Sequence, residues 1–215
     1  VKAAIISGGI LDNNFILSYL DESFDCMIAA DKGLLFFYET GKKPDLIMGD
    51  FDSIPSKILS HYRETMPDRI LTYPSVKDET DTELAILKAL EMGAKKIHLL
   101  GATGGRVDHL LGTMKNLGLG LDKGAEIYLV DKANRIRMIA EGKTVLHKND
   151  MFGTYFSIIP YENSLKGLTI RGSMYDVQQI TLEGFISRGV SNQMLEDVVE
   201  IEIEEGKAYL METCD

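Results

Sequence analysis

The first 130 residues alternate short apolar runs with stretches of helical spacing, and most of the runs end in glycine or aspartate. Ala3–Ile6 runs into Ser7-Gly8-Gly9, Cys26–Ala30 into Asp31, and Leu46–Met48 into Gly49-Asp50. Lys96–Leu100 closes at Gly101, and Arg69–Tyr73 and Ile127–Val130 are further strand-like runs. Between them lie helical patterns. Asp12 precedes Phe15, Ile16, Leu17 and Leu20 as a capping acid. Leu34, Leu35, Phe37 and Tyr38 lead to Gly41, a C-terminal stop. Helices are predicted over Pro55–Met66, Thr80–Met92 and Val107–Leu119, with Thr80 and Glu83 at capping-box spacing. Continuous apolar strands joined by helices predict an α/β unit: a Rossmann-like parallel sheet with helices on both faces. Ligands of such sheets bind beyond the carboxyl ends of the strands. The chemistry therefore belongs just after each run.

The pattern changes near residue 132. Strand-like stretches follow at Arg135–Ile139, Thr144–His147, Tyr155–Ile159, Leu168–Ile170, Val198–Ile203 and Ala208–Met211, and no helix is convincing. Val199, Ile201 and Ile203 alternate with Glu200, Glu202 and Glu204, the mark of a half-buried antiparallel strand. The expected division is 1–131 as an α/β domain. Residues 132–215 would form an antiparallel β-sandwich. The chain of 215 residues is long enough to bury a core in each.

Its net charge of −10 argues against a general nucleic-acid binder or an anionic-membrane partner. No run spans a bilayer and no signal peptide is read, and Cys26 and Cys214 read as free thiols, so a cytoplasmic location is expected. The acid is uneven. Residues 183–215 hold nine acidic and two basic side chains. Much of that is the outward face of one strand and its turn, at Glu200, Glu202, Glu204 and Glu205, where solubility is the expected benefit.

The strand ends of the first unit carry the informative acids. Asp31 follows the second run, Asp50-Phe51-Asp52-Ser53 the third, and Lys77-Asp78-Glu79-Thr80-Asp81 opens a helix. The fifth run leads into Gly101-Ala102-Thr103-Gly104-Gly105-Arg106-Val107-Asp108-His109. A parallel sheet would bring these to one edge. One aspartate at a strand end is ordinarily a turn or cap residue. Several together repel unless a cation offsets them. Hard oxygen donors without histidine or cysteine suit Mg²⁺, which usually arrives with substrate phosphates. The glycine-rich turn before a helix offers backbone N–H groups to phosphate oxygens, and Arg106 a charged contact. It is neither a Walker A loop nor a dinucleotide fingerprint. Taken together, the residues point to Mg²⁺-dependent chemistry on a nucleoside triphosphate.

These blocks, with Ala30-Asp31-Lys32-Gly33, Pro44–Ser53 and Ser187-Arg188-Gly189-Val190-Ser191-Asn192, resemble the thiamine pyrophosphokinase family, in its bacterial form, over nearly the whole chain. The resemblance implies ATP + thiamine → AMP + thiamine diphosphate, with the thiamine hydroxyl attacking the β-phosphorus. It implies a homodimer, with thiamine held between the α/β domain and the partner's β-sandwich. By resemblance, Asp31, Asp50, Asp52 and Asp81 are metal positions. Asp50, Asp52, Asp81 and Asp108 are catalytic, with either Asp81 or Asp108 orienting or deprotonating the hydroxyl. Asp31, Lys77, Gly104, Gly105 and Arg106 serve ATP and its phosphates, and Ser187, Ser191 and Asn192 serve thiamine. Some relatives place a tryptophan near the thiamine ring. This chain has none, leaving Tyr175 or Phe185 for stacking.

Two other readings share these residues. A related pyrophosphokinase acting on a hydroxymethylpterin would keep the ATP half and change the acceptor, and Ser191-Asn192 favours thiamine. A non-catalytic nucleotide or thiamine sensor would not need so many costly carboxylates.

Overall fold

The computed structural model describes residues 1–74, 76 and 78–215. They form two compact units, Val1–Asp131 and Lys132–Asp215.

The first unit holds six strands: β1 (Lys2–Ile6), β2 (Cys26–Ala30), β3 (Leu46–Gly49), β4 (Ile70–Thr72), β5 (Lys96–Leu100) and β6 (Glu126–Val130). They pair in the order β6-β5-β1-β2-β3-β4, and all five pairings are parallel. The helices between them are α1 (Asn13–Tyr19), α2 (Leu34–Thr40), α3 (Ser56–Thr65), α4 (Asp81–Glu91) and α5 (Val107–Asn116). Local chemistry explains their ends. The Asp12 carboxylate accepts from Phe15 N at 3.1 Å to cap α1, and Gly41 ends α2 at φ 73°. Thr80 Oγ1 caps α4 by accepting from Glu83 N at 3.1 Å. The Glu83 carboxylate does not complete a capping box; it accepts from Asn116 Nδ2 of α5 at 3.5 Å. The predicted helix to Leu119 stops at Asn116 and tightens into a 3₁₀ stretch, Leu117–Lys123.

The sheet's core is apolar. Ile5, Ile6, Ile28, Ile47, Met48 and Ile97 are fully buried, each worth about 1.5–3 kcal/mol of apolar burial. One helix comes unusually close to the sheet. A Cβ on Gly33, just before α2, would lie 1.8 Å from the Ile6 carbonyl oxygen at the end of β1. Backbone cannot yield there as a side-chain tip would. Gly33→Ala is therefore expected to cost about 3 kcal/mol or more, read as a lower midpoint in guanidinium unfolding. An unchanged midpoint would show that β1 and α2 separate without penalty.

The second unit is a sandwich. One sheet runs β12-β9-β14-β7, from β12 (Asn192–Gln193), β9 (Tyr155–Pro160), β14 (Ala208–Thr213) and β7 (Asn134–Ile139). The other runs β11-β10-β13-β8, from β11 (Val177–Glu183), β10 (Ser164–Arg171), β13 (Val198–Ile203) and β8 (Gly142–His147). All the pairings within these two sheets are antiparallel. The core between them includes Phe156, Ile158, Leu165, Leu168, Leu182, Val199, Ile201 and Leu210. Val199, Ile201 and Ile203 are buried as the alternation requires. The glutamates between them are matched across strands: Glu200 with Lys143 and Glu202 with Arg171, while Glu205 pairs with Lys166 from the turn. Such exposed pairs add roughly 0–1 kcal/mol each. Beyond solubility, they keep the acidic face from repelling itself. Beneath the surface, Glu212 of β14 is nearly fully buried and takes both Arg135 Nε at 3.1 Å and an Arg135 terminal nitrogen at 2.5 Å. Phe152 N adds a third bond at 3.0 Å.

Both cysteines are free. Among the described residues, no helix is long and apolar enough to cross a membrane.

Candidate active site

The parallel sheet changes direction of winding at β1, which pairs with β2 on one side and β5 on the other. At such a switch point open α/β sheets bind their ligands, beyond the carboxyl ends of the strands. Two glycine-rich loops flank it, Ser7-Gly8-Gly9 after β1 and Gly101–Gly105 after β5. They are joined to each other by Gly9 N donating to Gly101 O at 2.6 Å and Ile10 N to Thr103 O at 3.2 Å. The first loop escaped the sequence reading as a site element. Its signal was the Gly-Gly pair directly after a buried strand.

Asp31, Asp50 and Asp52 meet at the same edge, with one carboxylate oxygen of each within 4.8 Å of the other two. Asp31 and Asp50 are half-buried and Asp52 is exposed. The backbone is bent to achieve this. Asp31 has φ 47° and Phe51 φ 64°, both in the left-handed region that ordinary side chains avoid. Gly49 between them has φ 156°, and a Cβ there would stand 3.2 Å from Asp31 Cα. Buried Phe51 anchors the turn, while Asp50 Oδ1 accepts from Asp52 N at 3.1 Å and Asp52 Oδ1 from Ser53 Oγ at 2.8 Å. Strain of this kind collects at functional sites.

Burial pushes the Asp31 carboxyl above the usual range, and the nearby charges of Asp81 and Asp50 push the same way, partly offset by a backbone hydrogen bond at Lys32 and by the Lys32 charge. Its Oδ1 is buried with no hydrogen-bond partner. An unsatisfied carboxylate oxygen facing two other carboxylates is costly unless something cationic completes it.

The remaining residues fall into place unevenly. Asp81 opens α4 and is close enough for its charge to be felt at Asp31. Asp108 and Arg106 instead pair with each other on the exposed start of α5, by Nε–Oδ1 at 3.1 Å and a second bond at 2.5 Å. That hydrogen bond holds the Asp108 carboxyl down to about 2. Gly104 and Gly105 lie in the loop just before, both exposed. Lys77 lies outside the described residues.

In the second unit, Ser187 and Ser191 are exposed and Asn192 is buried. Ser191 has φ 61°, with its N–H donating to Ser157 Oγ at 3.0 Å. A cavity of about 400 Å³ opens between the two sheets. Phe156, Ile158, Leu168, Ile170 and Leu182 form its apolar floor, and Met174, Tyr175, Asp176, Arg188 and Val190 its rim. Of the two aromatics proposed for stacking, Tyr175 lines this cavity; Phe185 does not and is 93 % exposed. Nothing periodic marks Met174 or Arg188 in the sequence.

Comparison with known proteins assigns both units. The family model described as "Thiamin pyrophosphokinase, catalytic domain" matches residues 17–129. The model described as "Thiamin pyrophosphokinase, vitamin B1 binding domain" matches residues 143–208, which include every residue lining the cavity. The chain is 32% identical over 194 residues to the thiamine pyrophosphokinase of Bacillus subtilis, covering 89% of this chain and 88% of that protein. The crystal structure of thiamine pyrophosphokinase from Bacillus subtilis superposes with a TM-score of 0.89 at 29% identity, covering 100% of both chains. That of the thiamin pyrophosphokinase family protein from Enterococcus faecalis gives 0.85 at 25% identity, again with 100% of both covered.

Proposed function

Because the chain belongs to the thiamin pyrophosphokinase family and is an enzyme of that type, we propose that its acid-lined crevice binds ATP and its β-sandwich cavity receives thiamine. The single observation that carries this is the meeting of Asp31, Asp50 and Asp52, with Asp31 Oδ1 buried and unsatisfied, beside two joined glycine-rich loops.

The donor set suits Mg²⁺: hard carboxylate oxygens from three positions, without nitrogen or sulfur. Asp50 and Asp52 would hold it, with Asp31 completing the set and Asp81 alongside. An Mg²⁺ ion held by these carboxylates would offset the charge of the triphosphate and of the leaving group. The loops after β1 and β5 and the start of α5 meet the phosphates, where Arg106 exchanges Asp108 for a phosphate oxygen. The thiamine hydroxyl oxygen attacks the β-phosphorus, and the bond from that phosphorus to the α–β bridging oxygen breaks, releasing AMP. Asp81 suits the role of orienting the hydroxyl and taking its proton. Asp108, engaged by Arg106 before substrate binds, is released when that pair opens and is the alternative for this role. In the sandwich, Tyr175 offers its ring to the cationic thiazolium at the cavity rim.

A homodimer is part of the proposal. Met174, Tyr175 and Val190 expose apolar surface around the cavity mouth, with exposed Leu195 tied to Gly172 by a 3.0 Å backbone bond. Such a rim is usual where another surface docks. A cytoplasmic location belongs to the same proposal, and two free thiols support it.

The test is to incubate the chain with ATP, Mg²⁺ and thiamine and resolve the products by mass. Thiamine diphosphate with AMP is expected; thiamine monophosphate with ADP would overturn the reading. A hydroxymethylpterin in place of thiamine should give no diphosphate product. Removing Mg²⁺ with EDTA is expected to weaken ATP binding by at least about tenfold, since the carboxylates then face the triphosphate directly. Calorimetry showing equal affinity would defeat that view of the cluster.

A further inference from the structure

Asn192 opens β12 and is only 7 % exposed. Its Oδ1 accepts from Tyr175 N at 3.1 Å and from Gln193 N at 2.9 Å. Its Nδ2 donates to Ser173 Oγ at 3.0 Å and to the Tyr175 carbonyl at 3.2 Å. An asparagine amide has two N–H donors and two acceptor lone pairs, and all four are used. Two backbone N–H groups on one atom and a backbone carbonyl on the other also fix which atom is oxygen. Asn192 borders the cavity, yet it has no hydrogen bond left to give a ligand.

What the amide holds is the turn Gly172–Asp176. It takes both the N–H and the carbonyl of Tyr175. Ser173 Oγ passes the network on, donating to Asp176 Oδ1 at 2.9 Å. Ser173 N reaches the same oxygen at 2.8 Å, and Gly172 N reaches Oδ2 at 3.3 Å. Backbone bonds also tie the first half of the turn, through Met174 N to Gln193 O at 2.8 Å and Leu195 N to Gly172 O at 3.0 Å. Tyr175, which carries a ring to the cavity rim, depends on the Asn192 side chain.

We infer that Asn192 is a positioning residue for substrate binding: it holds Tyr175 at the cavity mouth through the Gly172–Asp176 turn and makes no bond to the substrate. The inference rests on the reading that thiamine enters this cavity, and the experiment separates the two. Initial rates are measured on the full chain with thiamine and ATP varied in turn. Asn192→Ala is expected to raise the KM for thiamine about tenfold and leave that for ATP within about twofold. Ser173→Ala, at a residue that does not line the cavity, should raise the thiamine KM in the same sense, and the double variant should be no worse than Asn192→Ala. In a Tyr175→Ala background, Asn192→Ala should have almost no further effect. Asn192→Asp keeps the acceptor for Tyr175 N and loses both donated bonds. It and Ser173→Ala carry the test should Asn192→Ala lose its near-ultraviolet circular dichroism. A silent Ser173→Ala, with Asn192→Ala or Asn192→Asp at full effect in the Tyr175→Ala background, would show direct contact and overturn the inference. Val190→Trp, which blocks the mouth, examines the underlying reading. An unchanged thiamine KM in that variant places thiamine elsewhere, whatever Asn192 does.

Discussion

Asp50→Asn is expected to lower the rate of thiamine diphosphate formation by at least about 10²-fold, and Asp52→Asn by a similar factor. Each change removes a negative oxygen from a set whose members lie within 4.8 Å and keeps the shape of the side chain, so the fold should survive. Asp31→Asn should share the loss of activity and, melted without divalent ions, raise Tm. The sign follows from the geometry. Burial and two neighbouring carboxylates hold the Asp31 pKa up. A carboxyl whose folded pKa is raised lends its stability below the unfolded value and withdraws it as pH climbs through the folded one. At neutral pH the ionised Asp31 is a burden that the asparagine lifts. Near-normal turnover by any of the three variants would remove that residue from the site. A lower Tm for Asp31→Asn would overturn the account of repulsion.

The largest effect on stability is expected at Arg135→Ala, about 3–5 kcal/mol in denaturant unfolding of the second unit. Glu212 would keep its buried charge and lose both hydrogen bonds from Arg135, leaving the one from Phe152 N. The cost comes from the stranded charge. Replacing both partners by apolar residues of similar size, Arg135→Met with Glu212→Leu, should therefore recover most of it. If the double variant is as unstable as the single one, the pair contributes through packing and the charge argument fails.

The acid cluster was legible because strand ends of a parallel sheet converge: Asp31 and Asp50 each follow a buried strand directly, and Asp52 lies two residues on. The pairing of Asp108 with Arg106 was not, since nothing in residue order distinguishes a phosphate-facing arginine from one that bends back two positions. In the sandwich, Val177–Glu183 escaped notice as a strand. Its buried positions do not alternate: Gln179, at φ 49°, inserts an extra residue, and the register shifts between Ile180↔Leu168 and Val177↔Ile170. A second shift, between Leu165↔Leu182 and Leu168↔Ile180 where Gly167 takes φ 63°, hid the full length of β10. Ser191-Asn192 was visible as a motif. The saturation of the Asn192 amide was not, because its partners at Ser173 and Tyr175 lie 17–19 residues back along the chain.

The central place of β1 has a bearing on how the chain is made. β1 ends at Ile6, yet one of its two partners, β5, begins at Lys96. A chain leaving the ribosome can build the β1-β2-β3-β4 half of the sheet early, and then holds the apolar free edge of β1 open until some ninety residues have followed. Parallel pairings of such sequence separation form late and slowly. Synthesis halted before Lys96 should thus yield an aggregation-prone fragment, whereas a pause after Val130 should release a first unit whose sheet has every parallel partner it needs.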